Sequence, residues 1–383
     1  MRVLFVPHCP CDVEGWEGSR PYHLCRQLGT AHDLHVVTWQ QGRPSFGVPL
    51  SGGFQVEAAE GHTRYKLSLL PNFYRLVTRG YPRQHQLIFN QMLFRRSIKR
   101  LCKELQPDVL LYAGSHHFTG YPPFRTSIPM VFDYVDKSPQ WVETEYVRRA
   151  DAVVTVSEDL ARSVGPLNKP TTVIPNGVDV ARYASVSRAE AKEKLGLGGT
   201  TVVSLIGLTC DPSLYFVDAV RQLRARVPDV KLLIVGGGAV RDEILRRCDE
   251  IGISDVHAPG SVRNADVHWY FAATDVGLYP GADTPYFRES SPLKIVEYAA
   301  AAAQVVTSPV VTFERGWPNV HVAKPSAEDF SAKIYDALQS PRSAPSLESL
   351  DWSYLASRLD HVMRQAVRSR RQPVAESTAE LAV

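Results

Sequence analysis

The sequence predicts an α/β protein made of two doubly wound, Rossmann-like domains. Its 383 residues correspond to about two to three domains of ordinary size. Apolar residues make up 44% of the chain and charged residues 22%, which is enough for each domain to bury a core. Short β-branched runs alternate twice with longer segments of 3.6-residue period, which is typical of βαβ units around a parallel sheet.

The first series lies in residues 1–175, the predicted N-terminal domain. Its strands are short apolar runs, and its helices repeat apolar residues at three- and four-residue spacing. The predicted strands are 3–6, 34–38, 109–112, 130–132 and 152–156, and the predicted helices are 20–28, 84–105 and 158–164.

The second series lies in residues 200–350, the predicted C-terminal domain. Its strands are predicted at 201–208, 231–235, 256–258, 276–279 and 304–307, and its helices at 214–226, 239–251 and 292–301. Proline, asparagine and glycine at 175–177 mark the start of a linker that we place at 176–199. Residues 351–367 are expected to form a helix that crosses back to the first domain, and 368–383 a disordered tail.

Composition excludes several classes of protein. A net charge of +3 is too small to indicate nucleic acid as a partner. The six cysteines contain no CxxC pair, so zinc-finger spacing is absent. The N-terminal apolar run of four residues ends at Pro7 and is too short for a signal peptide or a membrane span. We therefore expect a cytoplasmic protein with free thiols.

The strongest local motif lies in residues 286–298. Ser291 is a favourable N-cap and Pro292 suits a first helical turn, so a helix is predicted to begin there. The backbone N–H groups of Leu293 and Lys294 would then form an anion site at the positive end of the helix dipole. Glu289 precedes this helix, and Glu297 lies inside it. A ligand with both phosphates and hydroxyls, such as a nucleotide sugar, fits this arrangement.

An ordinary capped helix with one exposed glutamate would explain the same residues. The position of the motif, directly after the predicted strand 276–279 of a βαβ domain, favours the functional interpretation.

These residues resemble the retaining, nucleotide-sugar-dependent glycosyltransferases of the GT-B fold, specifically the family 4 group. Their hallmark of two glutamates separated by seven residues is matched by Glu289 and Glu297, and residues 291–298 read SPLKxxEY. Two further blocks, at 150–157 and 173–179, match the family in their usual order, so the resemblance covers nearly the whole chain.

The resemblance implies the role of each motif residue. Glu297 would bind the donor ribose, and Glu289 would act near the hydroxyls of the donor sugar. The amides around Pro292, Leu293 and Lys294 would hold the ribose and diphosphate. The family is usually metal-independent, and the chain lacks the Asp-x-Asp pair of the GT-A enzymes. No cofactor is expected beyond the nucleoside-diphosphate sugar as co-substrate.

The sequence departs from the family at two places. Many relatives carry an arginine and a lysine after the first strand of the second domain, but residues 207–212 contain neither. Arg288, Lys294 or Arg20 would then help the helix start to neutralise the diphosphate. The motif helix also runs into Ala299–Ala303 without the usual glycine. An alanine in the left-handed cap conformation would cost on the order of 1 kcal/mol.

The first domain supplies further candidates. Gly15 and Gly18 would let the loop before the first helix approach the diphosphate, although a plain βα loop would look the same. His116 or its neighbour His117 resembles the family histidine that contacts the donor sugar near the reacting carbon. We favour His116 for that role and place His117 on the acceptor side. Asp133 and Asp136 follow the predicted strand 130–132 and are candidates for acceptor hydroxyls.

The sequence is compatible with three rival interpretations. The glycines at 236–238 follow a strand but lack G-x-G-x-x-G spacing, which disfavours an NAD-dependent oxidoreductase. Residues 64–103 hold ten Lys or Arg and no acid; they form either a solvated helix face, which we favour, or a peripheral dock for an anionic membrane and a lipid-linked acceptor. A non-catalytic nucleotide-sugar binding protein is the third. The sequence favours a small-molecule acceptor and leaves the oligomeric state open.

Overall fold

The computed structural model describes residues 1–7, 18–41, 54–59, 61–69, 84–114, 125–136, 140–310 and 316–371. The chain divides into two compact units. Unit 1 comprises Met1–Pro175 together with the chain from Leu355 onward, and unit 2 comprises Asn176–Tyr354. Both are α/β units built on parallel sheets, so the predicted fold class is confirmed.

Unit 1 contains an eight-stranded sheet in the order β3-β4-β2-β1-β5-β6-β7-β8. Every neighbouring pair is parallel except β3 and β4, which form an antiparallel hairpin at one edge. The strands are β1 (Arg2–Val6), β2 (Asp33–Gln41), β3 (Phe54–Ala59), β4 (His62–Leu69), β5 (Val109–Gly114), β6 (Met130–Tyr134), β7 (Ala152–Thr155) and β8 (Thr171–Val173).

The described helices of unit 1 are α1 (Arg20–Gly29), α2 (Gln84–Leu105), α3 (Gln140–Arg149) and α4 (Glu158–Val164), and most of α13 (Trp352–Arg371) groups with them. Ser19 caps α1, and Ser157 caps α4 by accepting from the Leu160 N–H. A Cβ at Gly29 would lie 2.3 Å from the carbonyl oxygen of Gly61, so only glycine lets the end of α1 touch the β3–β4 turn.

Unit 2 contains a six-stranded, wholly parallel sheet in the order β11-β10-β9-β12-β13-β14. Its strands are β9 (Thr201–Ile206), β10 (Val230–Val235), β11 (Val256–Gly260), β12 (Val276–Tyr279), β13 (Gln304–Thr307) and β14 (Val320–Val322). Counted from β9, this is the 3-2-1-4-5-6 order of dinucleotide-binding folds. The four central strands β10, β9, β12 and β13 are almost fully buried, as expected for a sheet covered on both faces, whereas the edge strands β11 and β14 are only partly buried.

The helices of unit 2 are α5 (Val180–Ala184), α6 (Arg188–Lys194), α7 (Tyr215–Leu223), α8 (Ala239–Glu250), α9 (Asn264–Ala272), α10 (Pro285–Glu289), α11 (Leu293–Ala300) and α12 (Ala327–Gln339). In the predicted linker 176–199, Val178, Tyr183, Ala191 and Leu197 are buried in the core of this unit. No helix in the described part of the chain is both long and apolar enough to cross a lipid bilayer.

Candidate functional site

The strand order of unit 2 reverses between β9 and β12. The chain leaves β9 toward β10 and β11 on one side and returns to β12 on the other, and such a switch point opens a crevice beyond the strand ends. The loops that follow the two strands meet there, since the Asp211 N–H donates to the Pro280 carbonyl over 2.6 Å. The motif of residues 286–298 forms α10 and α11, directly after β12.

The predicted capping of the motif helix by Ser291 is wrong. Helix α11 begins at Leu293, and Pro292, with φ −76° and ψ 97°, is its N-cap residue and makes no side-chain cap bond. The Ser291 hydroxyl instead accepts from the backbone N–H of Asn176 over 3.0 Å, and the Asn176 side-chain amide donates to the Ser291 carbonyl over 2.8 Å. Asn176 therefore fixes the loop before α11 and takes up the hydroxyl that would have capped it.

Glu297 is almost completely buried on α11, with 9% of its surface exposed. One carboxylate oxygen, Oε1, accepts from the Tyr183 hydroxyl over 2.6 Å, and the other, Oε2, lies 2.8 Å from the Lys294 ammonium nitrogen. Tyr183 is itself buried, and burial together with the nearby Glu297 charge raises its pKa well above the usual value. Its hydroxyl therefore remains a proton donor to Glu297 throughout the physiological range.

Lys294 lies across the loop that follows β9. A Cβ at Gly207 would lie 2.7 Å from Lys294 Cε, and Gly207 has φ +77°, so glycine both leaves room for the lysine stem and permits the turn. The ammonium nitrogen lies 5.5 Å from the centre of the Phe271 ring. The Lys294 ammonium thus lies beside the loop of residues 207–212, which has no arginine or lysine of its own.

Tyr298 anchors α11 to the sheet at the switch point. Its hydroxyl donates to the Ser204 carbonyl over 3.1 Å and accepts from the Ile206 N–H over 3.1 Å, so it binds the end of β9. A Cβ at Gly277 of β12 would lie 2.5 Å from its ring, which shows how closely the ring packs on that strand. The neighbouring Glu297 is held in position as a consequence.

The other predicted motif residues lie just before α11. Glu289 is the last residue of α10 and is partly buried. Arg288 is exposed, and its Nε lies 2.5 Å from Asp283 Oδ1. Asp283 consequently has a pKa below its usual value, because Arg288 hydrogen-bonds the charged form. An anion would have to compete with Asp283 for Arg288.

Of the site residues predicted in the first domain, some lie within the described residues and some lie outside them. Asp133 is buried, with both oxygens bound by the buried Arg20 guanidinium at 2.9 and 3.0 Å. Arg20 also donates to the Pro175 carbonyl over 2.9 Å, so it has three acceptors within unit 1. Asp136 is half-buried shortly after β6, and Gly18 lies in the turn before α1. Gly15, His116 and His117 lie outside the described residues.

Tyr183, Asn176 and Gly207 contact the candidate site but were not predicted from the sequence. Asn176 stands in a recognised family block, and Gly207 stands where basic residues were sought, so a signal existed for both. Tyr183 is 114 residues from Glu297 in sequence, and only the fold brings them together. Within the described residues, no group of three or more His, Cys, Asp or Glu is placed to hold a metal ion.

Comparison with known protein families identifies the class of the chain. Residues 19–182 match the family described as Glycosyltransferase Family 4, and residues 203–340 match the one described as Glycosyl transferases group 1. Together with the two parallel-sheet units, these matches show that the chain belongs to the glycosyltransferases of the GT-B fold.

Among curated relatives, a phosphatidyl-myo-inositol mannosyltransferase of Mycobacterium tuberculosis (strain CDC 1551 / Oshkosh) is 29% identical over 170 residues, which are 41% of this chain and 40% of that protein. A D-inositol 3-phosphate glycosyltransferase of Nocardiopsis dassonvillei is 26% identical over 263 residues, 61% of this chain and 60% of that protein. Both alignments span less than two thirds of the relatives' own length.

Solved structures show the same fold over the whole chain. An α,α-trehalose 6-phosphate synthase from Burkholderia multivorans has a TM-score of 0.72 at 14% identity, covering 100% of this chain and 99% of that one. A sucrose-phosphate synthase from Thermosynechococcus elongatus has a TM-score of 0.66 at 15% identity, covering 97% and 98%. At such identities the likeness concerns the fold alone.

Proposed function

We propose that the protein transfers a sugar from a nucleoside-diphosphate sugar to an acceptor hydroxyl, with retention of anomeric configuration. Unit 2 binds the donor, and unit 1 binds the acceptor. The observation that carries the proposal is the position of Glu297 and Lys294 beside the loop after β9, at the point where the strand order reverses. A carboxylate and an ammonium group there match the hydroxyls and the phosphates of a nucleotide sugar.

Each group has a chemical task in this proposal. Glu297 accepts hydrogen bonds from the ribose hydroxyls, while Lys294 and the first N–H groups of α11 face the diphosphate. As the bond between the anomeric carbon and the diphosphate oxygen breaks, negative charge develops on that oxygen, and these donors stabilise it. The acceptor oxygen attacks from the same face and gives its proton to the departing oxygen, so no side-chain nucleophile is needed. Glu289 contacts the donor sugar.

A thermal-shift panel of UDP, GDP, dTDP and ADP tests donor binding. A ligand that binds only the folded state raises the melting temperature, and the diphosphate that raises it most identifies the base. No shift with any of the four would contradict the proposal.

The two glutamates are expected to affect different kinetic constants. Glu297→Ala weakens donor binding, whereas Glu289→Ala mainly lowers turnover, by an amount comparable to one lost transition-state hydrogen bond, about 2–4 kcal/mol. Steady-state kinetics with the donor identified by the panel would measure both. Wild-type kinetics in both variants would refute the site, and the absence even of slow donor hydrolysis in the wild type would favour a non-catalytic binding protein.

A small soluble acceptor is our first choice, and a lipid-linked acceptor is the second candidate. Helix α2 favours the second, because it buries Ile98, Leu101 and Cys102 and exposes a basic face made of Arg95, Arg96, Lys99 and Lys103. Of the two curated relatives cited above, one is named for a lipid-linked inositol, phosphatidyl-myo-inositol, and the other for a soluble one, D-inositol 3-phosphate. Co-sedimentation with anionic liposomes at low and moderate salt distinguishes the two, since a basic face binds them in a salt-dependent way. No binding at low salt would exclude the membrane candidate.

A further inference from the structure

The two charged groups proposed to hold the donor form an ion pair with each other. Lys294 Nζ lies 2.8 Å from Glu297 Oε2, one helical turn away on α11. The same ammonium is the cation proposed for the diphosphate, and the same oxygen is proposed for the ribose. To bind the donor, Lys294 and Glu297 would therefore have to separate from each other.

The two halves of this ion pair differ in freedom. Glu297 Oε1 is bound by the buried Tyr183 hydroxyl at 2.6 Å, and the carboxylate side chain is only 11% exposed. The Lys294 side chain is 33% exposed, and its flexible four-carbon stem lies along Gly207, where no side chain obstructs it. Glu297 is thus the fixed half of the pair and Lys294 the mobile half. Oε2 is therefore the oxygen whose present partner can move, and moving Lys294 makes it more available to a ligand.

We propose that the Lys294–Glu297 pair is an anion-operated latch of the donor site. The diphosphate draws the Lys294 ammonium away from Glu297, and the freed Oε2 then accepts a hydrogen bond from the ribose. The inference rests on the proposed function, because it assigns the order and mutual dependence of contacts within that same site.

The physical basis is an exchange of partners. A nucleoside without phosphates would displace Lys294 from Glu297 and offer the ammonium no anionic partner in return, so the ion pair would be lost. A diphosphate replaces the carboxylate as the counter-ion, so the exchange leaves no charge unpaired. The latch therefore makes the hydrogen bond between the ribose and Glu297 depend on the diphosphate, although no phosphate atom takes part in that bond.

Lys294→Met tests the latch by removing the ammonium while keeping most of the stem. Isothermal titration with the nucleoside of the selected base (uridine, guanosine, thymidine or adenosine) should show binding about threefold tighter than to the wild type, because Oε2 no longer has to be vacated. Binding of the diphosphate should weaken in the same variant. A lysine that only contacts phosphate would leave nucleoside affinity unchanged or weaker, and that result would overturn the latch.

Glu297→Gln provides the reciprocal test in a nearly isosteric variant whose amide oxygen can still accept from Tyr183. Inorganic pyrophosphate, which has no ribose, should bind about threefold tighter than to the wild type, since Lys294 is no longer neutralised. Unchanged or weaker pyrophosphate binding would overturn the latch even if Lys294→Met fails to fold.

Lys333→Met is the matched control, because Lys333 and Asp336 form an ion pair of the same spacing, at 3.0 Å, on helix α12. It should change neither nucleoside nor pyrophosphate affinity, and an equal gain in this variant would count against the latch. If no nucleoside diphosphate binds the wild type, the proposed function itself fails. If a diphosphate binds but the two reciprocal gains are absent, only the latch fails.

Discussion

The environment of Glu297 is determined by its neighbours Tyr183 and Lys294. A glutamate within a helix is ordinarily solvated, yet this one is buried and has a partner for each carboxylate oxygen. The hydrogen bond from Tyr183 limits which oxygen can meet a ligand. Under the proposed function, Tyr183 would be a positioning residue that acts on the donor through Glu297.

Tyr183→Phe is expected to weaken nucleoside-diphosphate binding by about 1–2 kcal/mol, because a buried carboxylate oxygen loses its hydroxyl donor. Calorimetric titration with the diphosphate selected by the panel measures the change, and a thermal melt checks the fold. Tyr335→Phe, on helix α12, removes a hydroxyl from the same unit and should bind like the wild type. Equal affinities in all three proteins would show that Tyr183 does not position Glu297.

At the scale of an element, α11 combines a firm anchor with a strained end. After the C-cap residue Ala301, Ala302 takes φ +52°, and its N–H and that of Ala303 donate to the carbonyls of Ala299 and Tyr298. This is a Schellman motif that uses alanine where glycine is usual. The Arg188 guanidinium donates to the Ala302 carbonyl over 2.8 Å and partly offsets the unfavourable conformation by satisfying that carbonyl.

Ala302→Gly is expected to stabilise the protein by about 0.5–1 kcal/mol, because glycine adopts a positive φ without the Cβ clash. Urea denaturation should show a higher midpoint with an unchanged slope. Ala300→Gly, in the last turn of the same helix, is the matched control and should lower the midpoint, because glycine loses more conformational freedom there. A lower midpoint for Ala302→Gly would contradict the strain assigned to Ala302.

At the scale of the whole molecule, four buried or partly buried histidines favour the neutral form. Burial lowers the pKa of His32, His257, His268 and His321 below 6.5, and for His257 the nearby Lys231 charge lowers it further. The Asp360 carboxylate beside His32 opposes the shift without cancelling it. As the pH falls below about 6.5, the unfolded chain binds these protons more readily than the folded one, so acid destabilises the fold.

The melting temperature is therefore expected to fall between about pH 7.5 and about pH 5.5, before most carboxylates are protonated. Differential scanning calorimetry in buffers of equal ionic strength measures this. His257→Gln should lose less stability over the same interval, since it removes one of the shifted groups. An unchanged or higher melting temperature at the lower pH would contradict the sign of these shifts.

Strongly apolar strands were predicted well, but a clear hydrophobic period did not always suffice, since the amphipathic helix α12, which buries Phe330, Ile334 and Ala337, was not predicted. Strands β9, β10, β12 and β13 are mostly apolar, and each was predicted within two residues of its observed bounds. Helix α9 was missed, because its sequence NADVHWYFA shows almost no separation of polar and apolar faces. Strands β8 and β14 have three residues each, too few for any period to show. Strand β4 was also missed, although His62, Arg64 and Lys66 alternate with Thr63, Tyr65 and Leu67 in the period of a half-buried strand.

The sequence by itself determined the fold class and the segment that carries the site, because burial periods and the spacing of Glu289 and Glu297 are local properties of the chain. Only the tertiary structure decided that Asn176 rather than α11 binds the Ser291 hydroxyl, that Lys294 lies along Gly207, and that Tyr183 reaches Glu297. The physical reason is that a polar group near an interior takes whichever partner the packing brings within hydrogen-bond distance. That partner can stand more than a hundred residues away in sequence.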